Sequence, residues 1–324
     1  MNTERKRDSA ALGSDPALDP ALRLGGVALA NGLVVVSLRH WAAAIREADG
    51  SISVASGTKP RLPGGGPRTT DATVDDGSAA RKTGPDKADE EDGIPILRGL
   101  ARLAESVMVL GIVKKSLPSA RLPFESGRVA SALAASMAGT TAVRALVPRS
   151  ALAQEAGSAL AAFIPAVVAV RNSDIAGYHG AEHKVIGARE EALRGQAKKR
   201  VGTRRTLARL TGDPTEVPKE HDRCGSNLVG PYLLATVVAG VLARDRRGRK
   251  TPARSAAAGV ASLGLALEAM RWASRHGDSL LARIMLLPGR VLQKSLTTSE
   301  PTPEQLEVGQ RALAEMLRLE AETD

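Results

Sequence analysis

Four stretches of this chain carry no formal charge over 13 to 19 consecutive residues: Val129–Val143, Ala156–Val170, Gly225–Ala243 and Ser255–Leu267. They are rich in alanine and read as helices. A helix needs roughly 20 apolar residues to cross the hydrocarbon of a bilayer. Only Gly225–Ala243 approaches that length, with Leu228, Val229, Leu233, Leu234, Val237, Val238, Val241 and Leu242. Arg144 and Glu155 stand at the margins of the first two stretches and must snorkel or pair. On hydropathy alone, a soluble bundle of buried alanine-rich helices fits as well as a membrane protein.

Four spans would form two helical hairpins, turning near Pro148-Arg149 and within Arg244–Arg254. Segment 171–224 then lies on the same side as both termini. Lys and Arg favour the cytoplasmic side. Segment 171–227 carries 12 of them, but the short second turn carries six: Arg244, Arg246, Arg247, Arg249, Lys250 and Arg254. A turn that basic resists export, so either the topology is not four full spans or the second pair is a shallow hairpin at the headgroups.

The remaining chain divides by composition. Residues 1–20 are polar, charged and broken by Pro16 and Pro20, the pattern of a disordered tail. Residues 21–57 read as a small β unit, because Asp49-Gly50 between two apolar runs is a hairpin signal. Residues 58–93 hold Gly64-Gly65-Gly66, four prolines and the acidic run Asp89–Asp92, which describes a flexible linker. Residues 94–296 read as the helical, membrane-associated body, opening with Leu100, Leu103, Val107 and Leu110 at helical spacing. In 297–324, Thr302-Pro303-Glu304-Gln305 is a capping box with proline at the first helical position, followed by an amphipathic helix.

The formal charge of +10 suits an anionic partner, either a membrane surface or nucleic acid. Aromatic residues make up only 2% of the chain, too few for base-stacking platforms. No helix-turn-helix, zinc-finger spacing or phosphate-cradling glycine loop is present, so nucleic acid ranks below membrane lipid and other membrane proteins as a partner. The single cysteine, Cys224, excludes an intramolecular disulfide framework. Met1–Leu24 has no signal-peptide pattern.

Chemistry concentrates in two short clusters. Tyr178–Lys184 contains H-x-x-E-H: on a helix, His179 and His183 share a face, so both imidazoles can reach one metal ion. Glu182 lies near that face, where it can take a proton from water that the metal activates. Inverted zincin proteases use this order. The bland alternative is a polar helix start with solvated histidines. The second cluster is His221-Asp222-Arg223-Cys224-Gly225, in which His221 and Cys224 are metal-ligand types and Asp222 is an oxygen alternative. The bland reading of Cys224 is a small buried residue at a helix start. No complete span separates Val170 from Gly225, so the clusters can meet on one side of a membrane. His40 and His276 have no comparable partners. Lys198-Lys199-Arg200 and Arg204-Arg205 read as a solvated loop or a headgroup contact.

The stretch YHGAEHK, then HDRCGS, then LQKSLTTSEPTPEQLEV resembles the YqhQ-like bacterial family, a domain of unknown function (number 1385). Its members typically read YHGAEHK, HPRCGTSF and TTREP..QLEVA. The N-terminal GGVALANGL is similar to the family's GGQAVIEGVMM, Ile96–Gly99 to its LRG element, and PGRVLQ to its PGLWLQ. The likeness spans nearly the whole chain outside 1–20 and 58–92. It implies a multi-span protein of the bacterial cytoplasmic membrane and a metal-dependent enzyme. It carries a metal role onto His179, His183, His221 and Cys224 and an acid/base role onto Glu182. The chain departs from the pattern at Asn31, where the family has glutamate, at Val36, where it has arginine, and at Asp222, where it has proline.

The resulting expectation is a mainly α, membrane-associated helical bundle with up to four spans and a small N-terminal β unit. Its metal site falls in 171–227, with that segment and both termini cytoplasmic. Zinc suits mixed His and thiolate ligands. The expected activity is hydrolysis by a metal-activated water. The alternative is a non-catalytic scaffold or assembly factor in which four protein ligands close a structural metal site.

Overall fold

The computed structural model describes residues 22, 24–62, 95–147, 150–198, 212–221, 224–245, 248–277 and 279–322. The expected tail 1–20, nearly all of the expected linker, Pro148-Arg149 and Asp222 lie outside these residues. Four strands, β1 (Gly25–Ala28), β2 (Gly32–Val36), β3 (His40–Arg46) and β4 (Ile52–Thr58), pair antiparallel in sequence order. The β3–β4 hairpin closes at Asp49-Gly50. Gly50 takes φ +87°, and the Asp49 carboxylate accepts from the Ser51 amide (2.9 Å) and hydroxyl (2.7 Å). Glycine supplies the positive φ without steric cost.

Eight helices follow among the described residues: α1 (Pro95–Ser116), α2 (Gly127–Leu146), α3 (Ala151–Val170), α4 (Asp174–Lys198), α5 (Val229–Leu242), α6 (Pro252–Arg275), α7 (Leu280–Leu292) and α8 (Pro303–Glu322). A 3-10 turn, Gly225–Leu228, leads into α5, and a π turn, Gln293–Thr297, follows α7. The chain is therefore mainly helical with a small N-terminal sheet.

Both faces of the sheet are buried, and the period of two sorts its side chains. Leu33, Val35, Ala42 and Ala44 pack with Tyr178, Ala181 and Val185 of α4 and with Val308, Leu313, Met316 and Leu317 of α8. Val34, Trp41, Ala43 and Ile45 pack on the opposite side with Val109 and Val113 of α1 and with Leu117, Ala120 and Leu122 beyond it. Helix α8 starts as its capping box requires: Gln305 Oε1 accepts from the Thr302 amide (3.0 Å), and Thr302 Oγ1 accepts from the Gln305 amide (3.3 Å). Near its other end, the buried Glu320 carboxylate accepts from the Ser37 hydroxyl, from His40 Nδ1 (2.8 Å) and from Arg39 (3.3 Å). The amphipathic C-terminal helix thus shares one core with the N-terminal sheet.

Among the described residues, three segments are long and apolar enough to cross a membrane: α2, α3 and Gly225–Leu242. Only 6%, 22% and 17% of their apolar windows are buried inside the protein, so few of these residues belong to its core. Leu133 and Met137, Leu160 and Ile164, and Leu234 and Val238 are exposed large apolar residues on these segments. A contiguous outward apolar surface of this kind marks contact with lipid or another apolar partner. Twenty helical residues rise about 30 Å, matching the hydrocarbon thickness. The fourth charge-free stretch does not join this set. It lies within α6, whose last two turns carry Glu268, Arg271 and Arg275, and Glu268 pairs with Arg98 of α1 at 3.3 Å.

Helices α2 and α3 approach closely through small residues: Ser136 Oγ donates to the Ala162 carbonyl at 2.7 Å, and Gly139 faces Ala161. At the end where both α2 turns into α3 and α5 ends, the buried Glu155 carboxylate pairs with Arg244 (2.5 Å) and Lys250 (2.6 Å). Glu155 is therefore paired, as its place at a span margin demands. A Cβ on Gly240 would lie 2.4 Å from this carboxylate, so glycine there lets α5 come this near.

Candidate metal centre

The candidate site forms at the opposite end of these helices. Three residues, Arg171–Ser173, join α3 to α4, with Asn172 at φ +51°, a conformation that asparagine tolerates. The Ser173 hydroxyl accepts from the Ala176 amide (3.3 Å), and Asp174 places negative charge at the positive end of the helix. Residues 174–198 of the segment read as a site loop are thus helical, as α4. This puts His179 and His183 on one face, with ring centroids 4.4 Å apart.

Four glycines make α4 a weak helix by propensity, and the packing accounts for Gly177, Gly180 and Gly187. A Cβ on Gly180 would sit 2.1 Å from the Ser299 carbonyl oxygen; one on Gly177 would meet the Gln305 side chain at 2.4 Å. One on Gly187 would meet Val217 at 2.8 Å. Gly177 and Gly180 let the segment after the π turn lie against α4. Ser299 N donates to the Ala176 carbonyl (2.9 Å), and Glu300 pairs with Lys184 (2.5 Å).

That docking orients the histidines. His179 Nδ1 lies 2.9 Å from the Thr297 carbonyl oxygen, and His183 Nδ1 lies 2.5 Å from the Lys219 carbonyl oxygen. A carbonyl can only accept, so each Nδ1 carries a proton, and in the neutral imidazole the lone pair then belongs to Nε2. Metal-ligating histidines are typically held in this way by an outer hydrogen bond. His179 Nε2 is 3.1 Å from Cys224 Sγ, and the Ser226 hydroxyl also lies 3.1 Å from that sulfur. One ligand atom from each of His179, His183 and Cys224 falls within 4.8 Å of the others. Tetrahedral ligands at about 2.0–2.3 Å from zinc are spaced by roughly 3.3–3.7 Å. Small side-chain movements would bring this trio to that spacing, and its nitrogen and sulfur donors suit a transition metal.

The other expected site residues fall beside the trio. The His221 ring is 5.7 Å from that of His183, and its Nε2 is 3.5 Å from a Glu190 carboxylate oxygen. The His221 amide donates to buried Gln293 (2.8 Å), which in turn donates to Asn227 (3.2 Å). Glu182 is buried, 6% exposed, and its side chain occupies the space a Cβ on Gly26 of β1 would need. Burial pushes its carboxyl pKa up, and the neighbouring imidazoles of His179 and His221 act in the opposite sense. Among the described residues, no hydrogen bond reaches this carboxylate. Asn31 lies in the β1–β2 turn, where its side chain donates to the Arg46 and Ser119 carbonyls (both 3.1 Å) and accepts from the Arg121 amide (2.8 Å). His40 belongs to the Glu320 cluster, and His276 stacks on Trp272.

Sequence reasoning missed the roles of Thr297, Lys219, Glu190 and Gln293. Two act through backbone carbonyls, which leave no side-chain signature. The available signal was Gly180, a helix breaker inside a metal-type motif, which marks a close backbone approach.

Comparison with known proteins matches residues 94–319 to a family described as "Protein of unknown function (DUF1385)". Over 149 residues, 44% of this chain, the sequence is 33% identical to "Uncharacterized protein YqhQ" of Bacillus subtilis (strain 168). That alignment spans 41% of the relative's length. No solved structure matches.

Proposed function

This chain belongs to the DUF1385 family, and we propose that it is a metal-dependent membrane hydrolase centred on His179, His183 and Cys224. The observation that carries this reading is the backbone carbonyl facing Nδ1 of each histidine, which leaves Nε2 of the neutral imidazole as the ligand atom. A site with three protein ligands retains a position for a reactant, whereas structural zinc sites are closed by four. Zinc suits the donor set. When bound, the metal supplies Lewis acidity at this position.

The chain's own residues do the rest. Glu182 holds or releases a proton beside the trio, and its burial without a fixed donor keeps that carboxylate uncommitted. The Thr297 and Lys219 carbonyls hold the imidazoles in place, and Gln293 fixes the backbone of His221. The competing reading, a scaffold with a structural metal, needs a fourth ligand. His221 is the residue to supply it, and its present contact with Glu190 weighs against that role.

We place the protein in the bacterial cytoplasmic membrane with the site end cytoplasmic. The 12 Lys and Arg of 171–227 support this orientation. Glu155 neutralises part of the charge of the opposite turn through Arg244 and Lys250, which lessens the objection that the turn is too basic to export.

The test is made on full-length protein extracted from membranes without chelator. Stoichiometric transition metal is expected in both the parent and Glu182→Gln. Turnover, screened on ester, amide and phosphoester substrates, is expected only in the parent. Metal-free protein from metal-replete cells overturns the reading, and undiminished turnover in Glu182→Gln removes its proton-transfer step.

A further inference from the structure

Helix α7 does not fit either role that the rest of the bundle offers. Its 13 residues rise about 20 Å, too short to cross the hydrocarbon. It is also too exposed to be a core helix. Ala282, Leu286 and Gly289 form its buried face, while Leu280, Leu281, Ile284, Leu287 and Val291 are 55–74% exposed along another. At 100° per residue, Arg283 and Arg290 form a third stripe at one border of the exposed apolar face. Lys294 follows one turn later.

The packing fixes where this helix lies. A Cβ on Gly289 would sit 2.4 Å from Asn227 Cα, and one on Gly230 would sit 2.7 Å from the Met285 carbonyl oxygen. Helix α7 is therefore pressed against the start of the Gly225–Leu242 span, one residue beyond Cys224. A membrane-crossing segment begins at the level of the lipid headgroups. Helix α7 packs on α5, which has exposed apolar residues of its own, Leu234 and Val238.

We propose that α7 is an interfacial helix that binds anionic lipid. Its Leu280–Val291 face enters the upper acyl region, and Arg283, Arg290 and Lys294 contact headgroup phosphates. Short amphipathic helices with a basic border behave in this way. The basic border and the packing at the start of the Gly225–Leu242 span select an anionic bilayer over a second copy of the chain, which would bring the same positive stripe against itself. The helix runs directly into the π turn that presents the Thr297 carbonyl to His179, so lipid-bound α7 and the metal cluster share one stretch of backbone.

The inference rests on the membrane reading of the three spans and is independent of the metal chemistry. The full chain carrying Ile284→Trp, or separately Leu287→Trp, is reconstituted in vesicles of phosphatidylcholine and phosphatidylglycerol. Either lipid is brominated near the headgroup end of its acyl chains. Emission from the new tryptophan is expected to be quenched beyond the Trp41 and Trp272 background of the parent. Brominated phosphatidylglycerol is expected to quench more strongly. Replacing Arg283, Arg290 and Lys294 by glutamine should reduce that preference by about fivefold for each charge removed. Quenching by aqueous iodide in place of bromolipid overturns the inference. So does protection from both quenchers with concentration-dependent dimerisation, and so does equal quenching by the two lipids. Failure of the parent protein to float with vesicles refutes the membrane reading itself; flotation without quenching refutes only the role of α7.

Discussion

His179 Nε2 stands 3.1 Å from Cys224 Sγ although 45 residues of chain separate them. The contact joins the first turns of α4, just after the α3 span, to the residue that precedes the next span. Two membrane-sized segments are thereby tied together at one end by a pair of metal-type ligands. The other end is tied by Glu155 with Arg244 and Lys250.

Ligand substitutions should separate the trio from its neighbour. His179→Ala, His183→Ala and Cys224→Ala are each expected to lose stoichiometric metal. His221→Ala is expected to keep it. Elemental analysis of protein purified without chelator reads the difference. Loss of metal in His221→Ala would establish a four-ligand, closed site and favour the scaffold reading.

Gly180→Ala should reverse the usual sign of a helix substitution. Alanine in place of glycine normally stabilises a helix by about 1 kcal/mol. Here the new Cβ would lie 2.1 Å from the Ser299 carbonyl, which belongs to backbone and cannot rotate away. A loss of about 1–3 kcal/mol is expected from overpacking, along with weaker metal retention as Thr297 is displaced. Thermal unfolding and metal content together check this; a stabilised, metal-replete variant would contradict it.

Glu155→Ala should leave Arg244 and Lys250 without their shared carboxylate. Removing one partner from a buried ion pair costs about 3–5 kcal/mol, and the Glu155 side chain is 7% exposed. Reduced unfolding temperature in detergent is the expected result. Restoring stability by also replacing Arg244 and Lys250 with apolar residues would show that the unpaired charge is the cause.

Glu320→Ala should loosen the C-terminal helix from the sheet. Its carboxylate serves Ser37, Arg39 and His40, all from the β2–β3 turn region. A stranded buried donor costs about 1–3 kcal/mol. Faster amide exchange is expected in α8 and β2, with α2 and α3 unaffected. Uniform change across the chain would argue against this local role.

Much of the fold was legible because it rests on local signals. Asp49-Gly50 marked the β3–β4 hairpin, since positive φ is a property of the residue. Thr302–Gln305 marked the start of α8, since a capping box is complete within four residues. Charge-free runs marked α2, α3 and Gly225–Leu242, since an apolar helix of membrane length is recognisable from composition alone. The spacing of His179 and His183 placed both on one helical face.

What the sequence by itself determined was thus the inventory: helices, hairpin, caps and a set of metal-type side chains. Tertiary structure decided how they meet. The fourth charge-free stretch became part of α6, because Glu268 and Arg271 extend that helix past its apolar core and Glu268 pairs with Arg98. His221 turned towards Glu190, and Glu182 settled against Gly26 of a strand 156 positions earlier. The tautomers of His179 and His183 were set by the carbonyls of Thr297 and Lys219. Backbone carbonyls are the same at every residue, so only the packing of α4 against the segment after α7 could select which ones those would be.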